Sequence, residues 1–195
     1  SEQQSDLERM KQTMRRSIMA SSFLVLPLMA GLAAVARPLV SLLLTDKWLP
    51  CVPFLQICCI DFAFYPIHTA NLQAINAMGR SDVFLKLEIV KKSYGIAILC
   101  VTVFCFEGVL PIVWGAVIST VISSFVNAFP NKKLIHYGYW EQIRDILPPI
   151  VMSLTMFLAV SALGRLPLGN LPLLLVQVAA GVLLYGGMSL LFKPE

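Results

Sequence analysis

Long apolar segments alternate with short polar connections along the chain of 195 residues. A helix needs about 20 mostly apolar residues to cross a bilayer core. Lipid cannot hydrogen-bond to the backbone, and the segments lack the alternation of a membrane barrel strand, so helices are expected. The pattern therefore predicts an all-α, polytopic membrane bundle of about six transmembrane helices. The segments cover residues 17–44, 50–78, 83–106, 110–130, 146–163 and 171–192.

The overall composition agrees with this pattern. Apolar residues make up 57% of the chain and charged residues 13%, whereas a soluble domain has about 45–50% and about 25%. So few charges cannot cover a wetted surface, and the apolar excess is expected to face lipid. The five cysteines form no CxxC pair and are interpreted as small buried hydrophobic residues, not as metal ligands.

The basic residues are divided unequally between the two ends of the segments. Of the 15 Lys and Arg residues, only Arg37, Lys47 and Arg165 lie on one side of a six-span arrangement. The positive-inside rule therefore predicts that the lead-in 1–16 and the tail 193–195 are both cytoplasmic. The connections on the opposite side are too short for a folded domain. Residues 137–145 are compatible with either a short surface helix or a loop.

Polar residues on one face of the second segment are candidates for a functional site, because such residues are costly within a membrane. Pro66 interrupts the backbone ladder and is expected to kink this helix. A role of Asp61 in coupling or in a cavity and a purely structural role are both open, as they are for His68. The polar face comprises Asp61, Tyr65, His68, Asn71 and Asn76.

The third segment contains Glu88, Lys91, Lys92 and Gly95 at spacings that place them on one helical stripe. This stripe predicts a water-filled cavity with a cationic wall. The alternative is a span that begins near Ser93, with the charges in the headgroup layer. Two arginines complete the candidates: Arg80 before the third segment and Arg37, which either reaches the outer headgroups or contacts a cavity.

Motifs of soluble enzymes are absent from the sequence: there is no Gly-rich phosphate loop, HExxH or GxSxG. No cofactor is predicted. The basic residues are too dispersed among apolar segments to form a nucleic-acid surface. These observations favour a transporter over an enzyme or a nucleic-acid-binding protein.

Four stretches resemble Wzx-type oligosaccharide flippases of the multidrug/oligosaccharidyl-lipid/polysaccharide exporter superfamily. One difference is Thr45-Asp46, at a turn where such proteins commonly have a glycine. The stretches are SEQQSDLERMKQTMRRSI at 1–18, PLMAGLAAVARPLVSLLLTDKW at 27–48, LPCVPFLQICC at 49–59 and LQAINAMGRSDVFLKLEIVKK at 72–92.

The resemblance implies a two-lobed transporter of the bacterial inner membrane, of which this chain would be most of the second lobe, in the C-terminal portion. It implies that undecaprenyl-pyrophosphate-linked oligosaccharide repeat units are moved for O-antigen, capsule or exopolysaccharide assembly. The partners would be this lipid-linked oligosaccharide, membrane lipids and other polysaccharide-assembly proteins. The hypothesis assigns substrate contact to Lys91, Lys92, Glu88, Arg80, Asn71 and Asn76, and coupling or cavity roles to Asp61, His68, Tyr65 and Arg37.

Three alternatives remain open from the sequence. One is a cation-coupled multidrug exporter of the same superfamily. A membrane glycan polymerase or ligase would need catalytic groups on large external loops, and the loops here are short. A scaffold protein without transport activity would not need its polar stripes.

Overall fold

The computed structural model describes the backbone of residues 2–192 and the side chains of residues 6–191, so the predicted tail 193–195 lies outside the described residues. The described part is helical and contains no strand, which confirms the predicted all-α class. A 3-10 helix, Asp46–Cys51, follows the first of the α-helices. The α-helices are α1 Glu2–Leu44, α2 Val52–Ala63, α3 Tyr65–Ala77, α4 Ser81–Cys105, α5 Leu110–Leu134, α6 Tyr139–Leu163 and α7 Asn170–Phe192.

Five stretches of the described residues are long and apolar enough to cross a membrane. The chain is therefore a multi-pass membrane protein. They are Asp6–Leu44, Asp46–Ala77, Leu110–Leu134, Tyr139–Leu163 and Asn170–Leu191. Helix α4 has 25 residues, which is about 37 Å of helix, but it carries the charged stripe of Glu88, Lys91 and Lys92 and is too polar to be counted with the other five.

Two helices begin earlier than the apolar segments suggested. Helix α1 includes the lead-in and continues without a break into the first apolar segment. Helix α6 begins at Tyr139, so residues 139–145 are its first turns rather than a separate surface helix or a loop. The chain reverses just before α6 at His136, whose φ is 51°.

The second apolar segment is broken into α2 and α3 at Phe64. Pro66 occupies one of the first positions of α3, where its missing N–H leaves no helical hydrogen bond unmade. The helical ladder then restarts with a hydrogen bond from the backbone N–H of His68 to the Phe64 carbonyl, at 3.2 Å. The predicted kink is thus a local disruption of the helical hydrogen bonds at Phe64, whose backbone remains in the right-handed helical region, with a φ of −84° and a ψ of −9°.

Thr45, at the turn where the resemblance implied a glycine, has a φ of 74° and a ψ of 163°. This backbone conformation is favourable for glycine and strained for a β-branched residue. The turn is held by a hydrogen bond from the Ser41 hydroxyl to the Asp46 carboxylate, and by a second one from the Trp48 N–H to the Thr45 carbonyl, at 3.1 Å.

The helices divide into two compact units. Unit 1 contains the chain up to Ser22 and Ala63–Ile146, and unit 2 contains Phe23–Phe62 and the chain from Leu147 onwards. The interior of unit 1 includes many buried polar side chains from α3, α5 and α6. In unit 2 a buried cluster of Val35, Met156 and Val160 is surrounded by further apolar residues of α1 and α7.

The cysteines are only partly as expected. Cys59 is buried, as the sequence predicted. The interpretation as buried residues is wrong for three others, Cys58, Cys100 and Cys105, which are exposed on their helices. In a membrane protein a small apolar side chain can face lipid, so it does not have to be buried. All five are free thiols.

Candidate functional site

A pocket of about 390 Å³ lies in unit 1 between α3, α4 and α5. Its polar lining combines the predicted stripe of α4 with His68 of α3 and two hydroxyl groups of α5. The structure therefore brings together charged and polar groups that the sequence placed on two separate segments. The polar lining residues are His68, Glu88, Lys91, Lys92, Ser119 and Ser123.

The two lysines of this pocket differ in their pairing. Lys91 forms an ion pair with Glu88 one turn earlier on α4, and its side chain is 14% exposed. Lys92 is exposed and makes no ion pair with any residue that the structure describes. One positive charge of the pocket is therefore balanced and one is not, so the pocket has a net attraction for an anion.

His68 is held on both of its ring nitrogens by α5. The Asn127 side-chain amide lies 3.0 Å from Nδ1, while Nε2 is 3.1 Å from the Thr120 carbonyl and 3.2 Å from the Ser124 hydroxyl oxygen. An amide N–H can only donate and a carbonyl can only accept, so with the Asn127 amide in this orientation the contacts fit the tautomer that carries its proton on Nε2. His68 is thus fixed in orientation at the pocket wall.

Asn71 lies in a buried amide cluster, which we define as Asn71, Asn131 and Gln142. All three side chains are completely inaccessible. The Asn71 amide donates to the Gln142 side-chain oxygen at 2.7 Å, and the Asn71 side-chain oxygen accepts from Asn131 at 2.7 Å and from Gln142 at 3.0 Å. The cluster joins α3, α5 and α6 below the surface, and Asn71 does not line the pocket.

The other predicted substrate contacts lie outside the pocket. Arg80 forms an exposed ion pair with Asp82, at 3.0 Å, at the start of α4. The hydrogen bond from Arg80 lowers the pKa of the Asp82 carboxyl below its usual value. Asn76 and Tyr65 are exposed side chains of α3 that do not contribute to the lining.

An ion-pair cluster connects the start of α1 to the start of α6 within unit 1. Arg15 lies 2.6 Å from the Asp145 carboxylate and Lys11 lies 3.1 Å from Glu141. The buried Tyr137 donates to the second Asp145 oxygen at 2.8 Å. Burial, reinforced by this carboxylate, raises the pKa of the Tyr137 phenol, so it remains a hydrogen-bond donor.

The remaining predicted residues, Asp61 and Arg37, belong to unit 2. Asp61 is partly exposed, but its Oδ1 atom is buried without a hydrogen-bond partner among the described residues. Asp61 therefore belongs to a different unit from Tyr65 and His68, with which the sequence had placed it on one helical face. Arg37 lines a different pocket, in unit 2.

Sequence reasoning missed the polar residues of α5. Ser123, Asn127 and Asn131 recur every four residues within an otherwise apolar span, which places them on one face of the helix. This spacing was available from the sequence and indicates a helix face buried against polar neighbours. Among the described residues there is no group of His, Cys, Asp and Glu side chains that could hold a metal ion.

The fold and the pocket define a multi-pass helical membrane protein with a cationic pocket, and comparisons with known proteins add to this description. A solved structure of the lipid II flippase MurJ, in the inward closed conformation, matches 97% of this chain and 40% of that chain, with a TM-score of 0.80. The sequence identity is 17%, so this likeness establishes a shared fold.

The predicted resemblance to polysaccharide transporters is confirmed by the sequence comparisons. A family model described as a polysaccharide biosynthesis protein matches residues 1–53. An uncharacterized membrane protein in the cps region of Klebsiella pneumoniae is 26% identical over 160 residues, which are 80% of this chain and 32% of the relative. The chain thus spans about a third of the length of this curated relative.

Proposed function

We propose that this chain is part of a flippase that moves lipid-linked oligosaccharide repeat units across the bacterial inner membrane for O-antigen, capsule or exopolysaccharide assembly. In this proposal it supplies the second helical lobe of a two-lobed transporter. The observation that carries the proposal is the cationic pocket of unit 1, in a chain that shares the fold of a lipid flippase and resembles polysaccharide biosynthesis proteins.

The physical problem of such a transporter is to move a pyrophosphate and a sugar chain past hydrocarbon. An isolated anion in an apolar medium is strongly disfavoured, so a fixed cation along its path lowers the cost. Lys92 provides an unbalanced charge, and Glu88 holds Lys91 in place at the same wall. Ser119 offers a hydroxyl group to the sugar part.

Orientation follows from the distribution of basic residues. In this proposal α4 is a sixth crossing in addition to the five apolar spans. With α1 beginning and α7 ending in the cytoplasm, Arg80 and Lys132 lie on the cytoplasmic side and Arg165 on the periplasmic side. The pocket then receives its substrate from the leaflet in which lipid-linked repeat units are made. Alternating access of two lobes allows the polar group to cross without an open pore.

The test is the double substitution Lys91→Gln and Lys92→Gln in the chromosomal gene of the producing bacterium. The loss of one charged contact lowers affinity about tenfold. Because this variant loses both cations of the pocket, the amount of surface polysaccharide should fall by at least that factor. Lys86→Gln is the matched control, since Lys86 is an exposed lysine of α4 that does not line the pocket. Wild-type polymer output by the double variant, at equal protein in the membrane, would remove these lysines from the mechanism.

One observation favours a cation-coupled mechanism, either for this flippase or for a multidrug exporter. The buried, unpartnered oxygen of Asp61 is an acceptor that a proton or a sodium ion would satisfy. Asp61→Asn keeps the shape of the side chain and removes its charge. If transport by this variant responds to proton and sodium gradients as the wild type does, coupling through Asp61 is excluded. The multidrug exporter would be favoured if the full-length protein exports cationic dyes and deletion of its gene leaves the polymer unchanged.

A further inference from the structure

Unit 2 contains a pocket of about 410 Å³ that the proposed function does not use. It is lined by α1, α2, α6, α7 and the connection between α6 and α7. Two of its lining residues are arginines, Arg37 and Arg165, and no acidic residue lines it. The pocket is thus positively charged, and in the proposed orientation it opens towards the periplasmic side.

The two arginines are available to a ligand. Both side chains belong to exposed residues, and neither forms an ion pair with any residue that the structure describes. A guanidinium group remains protonated in any protein environment and presents a planar set of donors that matches a phosphate. Two such groups at one pocket repel each other until an anion lies between them.

Gln177 supplies a second, independent indication of a ligand. Its side chain is 1% exposed, and its amide N–H donates to the Val160 carbonyl at 2.9 Å. Gln177 is one of the pocket-lining residues, and its side-chain oxygen is buried without a hydrogen-bond partner among the described residues. A buried acceptor without a donor is unfavourable. A phosphate oxygen is itself an acceptor, so the part of a ligand that bonds to this oxygen must be a hydroxyl or an N–H.

We propose that this pocket binds the headgroup of a phosphate-bearing lipid that also has a free hydroxyl group. Arg37 and Arg165 contact the phosphate, and Gln177 accepts a hydrogen bond from the hydroxyl. A lipid is favoured over a soluble phosphate because Leu166 and Leu168 at the same pocket are exposed apolar side chains that can contact the first part of an acyl chain. The site lies in unit 2 and does not depend on the lysines of unit 1.

Two lipids share this chemistry: phosphatidylglycerol of the bilayer and a polyprenyl-phosphate-linked sugar. The test uses the protein as its gene encodes it, purified in detergent micelles, and measures lipid binding by native mass spectrometry. The probes are phosphatidylglycerol, phosphatidylethanol, which has the same charge but no free hydroxyl, and zwitterionic phosphatidylcholine. Phosphatidylglycerol should bind best, roughly tenfold more tightly than phosphatidylcholine, with phosphatidylethanol between them.

The variants separate the two parts of the site. Arg37→Gln and Arg165→Gln should each weaken phosphatidylglycerol binding about tenfold, which is the loss expected for one charged contact. Gln177→Met should abolish the preference for phosphatidylglycerol over phosphatidylethanol and keep the affinity for phosphatidylethanol, which also shows that the variant is folded. Arg144→Gln, at an exposed arginine of unit 1, is the control and should bind as the wild type does.

A competition experiment distinguishes the two sources. Displacement of phosphatidylglycerol by a lower concentration of polyprenyl-phosphate sugar would assign the site to the carrier lipid, and the reverse would assign it to bilayer lipid. Equal binding of phosphatidylglycerol and phosphatidylcholine, or wild-type binding by both arginine variants, would overturn the proposal. The lipid-binding result is independent of whether the Lys91 and Lys92 variants lose polysaccharide, so the two proposals can fail separately.

Discussion

The interiors of the two units are built from different interactions. In unit 1 the completely buried side chains include Asn71, Asn131 and Gln142, which hydrogen-bond to one another across three helices. In unit 2 the buried cluster of Val35, Met156 and Val160 is apolar. Both interiors also contain the other kind of side chain, such as Ile75 in unit 1 and Gln177 in unit 2, but the amide cluster is a feature of the first and the close-packed apolar cluster a feature of the second.

This difference matters because both units contain helices that are expected to be surrounded by lipid. Lipid tails are as apolar as a leucine side chain, so burial of apolar groups between membrane helices gains little transfer free energy. Packing of complementary shapes and hydrogen bonds between helices remain. The stability of unit 1 should therefore be sensitive to the loss of a polar partner. The stability of unit 2 should be sensitive to the loss of side-chain volume, but the free-energy loss should be smaller than in a soluble protein.

The largest effect is expected in the amide cluster. Asn71→Leu removes the side chain to which both Asn131 and Gln142 bond. Their N–H groups keep only the bonds to the backbone carbonyls of residue 71, at 3.1 Å, and of Tyr137, at 3.3 Å, and the Gln142 side-chain oxygen is left buried without its donor. At about 1–3 kcal/mol for an unsatisfied buried group, the free energy of unfolding should fall by about 3 kcal/mol. The measurement is unfolding of the protein in mixed micelles.

Asn76→Leu is the matched control for this substitution. Asn76 is an exposed residue of the same helix, so the same chemical change should alter the unfolding free energy by less than about 0.5 kcal/mol. If the two variants lost the same unfolding free energy, the amide cluster would not stabilise unit 1. The difference between the two interiors would then have no consequence for stability.

A smaller effect is expected in the apolar interior of unit 2. Met156→Ala leaves a cavity beside Val160, and in soluble proteins such a change costs about 2–5 kcal/mol. Since little transfer free energy is lost in lipid, we expect about 1–2 kcal/mol here, from lost packing contacts. The control is Leu183→Ala, at a residue whose side chain is 75% exposed. A loss above about 4 kcal/mol, measured as for Asn71, would mean that unit 2 behaves like a soluble core.

The sequence predicted the helices and the charged stripe for the same physical reason. Apolar length and the spacing of Glu88, Lys91 and Lys92 are properties of a single helix, and they can be read without knowledge of its neighbours. The presence of His68 at the same pocket depends on how α3 packs on α4 and α5, which one helix does not encode. Its proximity to the stripe is a result of tertiary structure.

Asn71 and Asp61 show where the sequence reading was limited. Both lie on the polar face of the second segment, so both were candidates for a cavity. The structure surrounds Asn71 with amides from α5 and α6, whereas Asp61 belongs to unit 2. A helical face identifies residues that avoid lipid, but it does not distinguish a wet cavity from a buried hydrogen-bond partner.

The smallest expected effect compares a glycine of each unit. A β-carbon at Gly115 in α5 would lie 2.8 Å from the Thr102 methyl group of α4, whereas a β-carbon at Gly186 in α7 would have no atom within 4 Å. Alanine is favoured over glycine in a helix interior by about 1 kcal/mol. Gly186→Ala should therefore stabilise the protein by up to that amount, and Gly115→Ala should destabilise it by about 1 kcal/mol because the helices must separate.

The opposite signs make this comparison decisive despite the small magnitudes. Thr102 is itself fixed by a hydrogen bond from its hydroxyl to the Leu99 carbonyl, at 2.9 Å, so its methyl group cannot turn away without breaking that bond. Gly115→Ser should be at least as unfavourable as Gly115→Ala, since it adds an atom to the same contact. If both substitutions at Gly115 raised the unfolding free energy as Gly186→Ala does, then α4 and α5 would not approach each other as closely at Gly115 and Thr102 as described here.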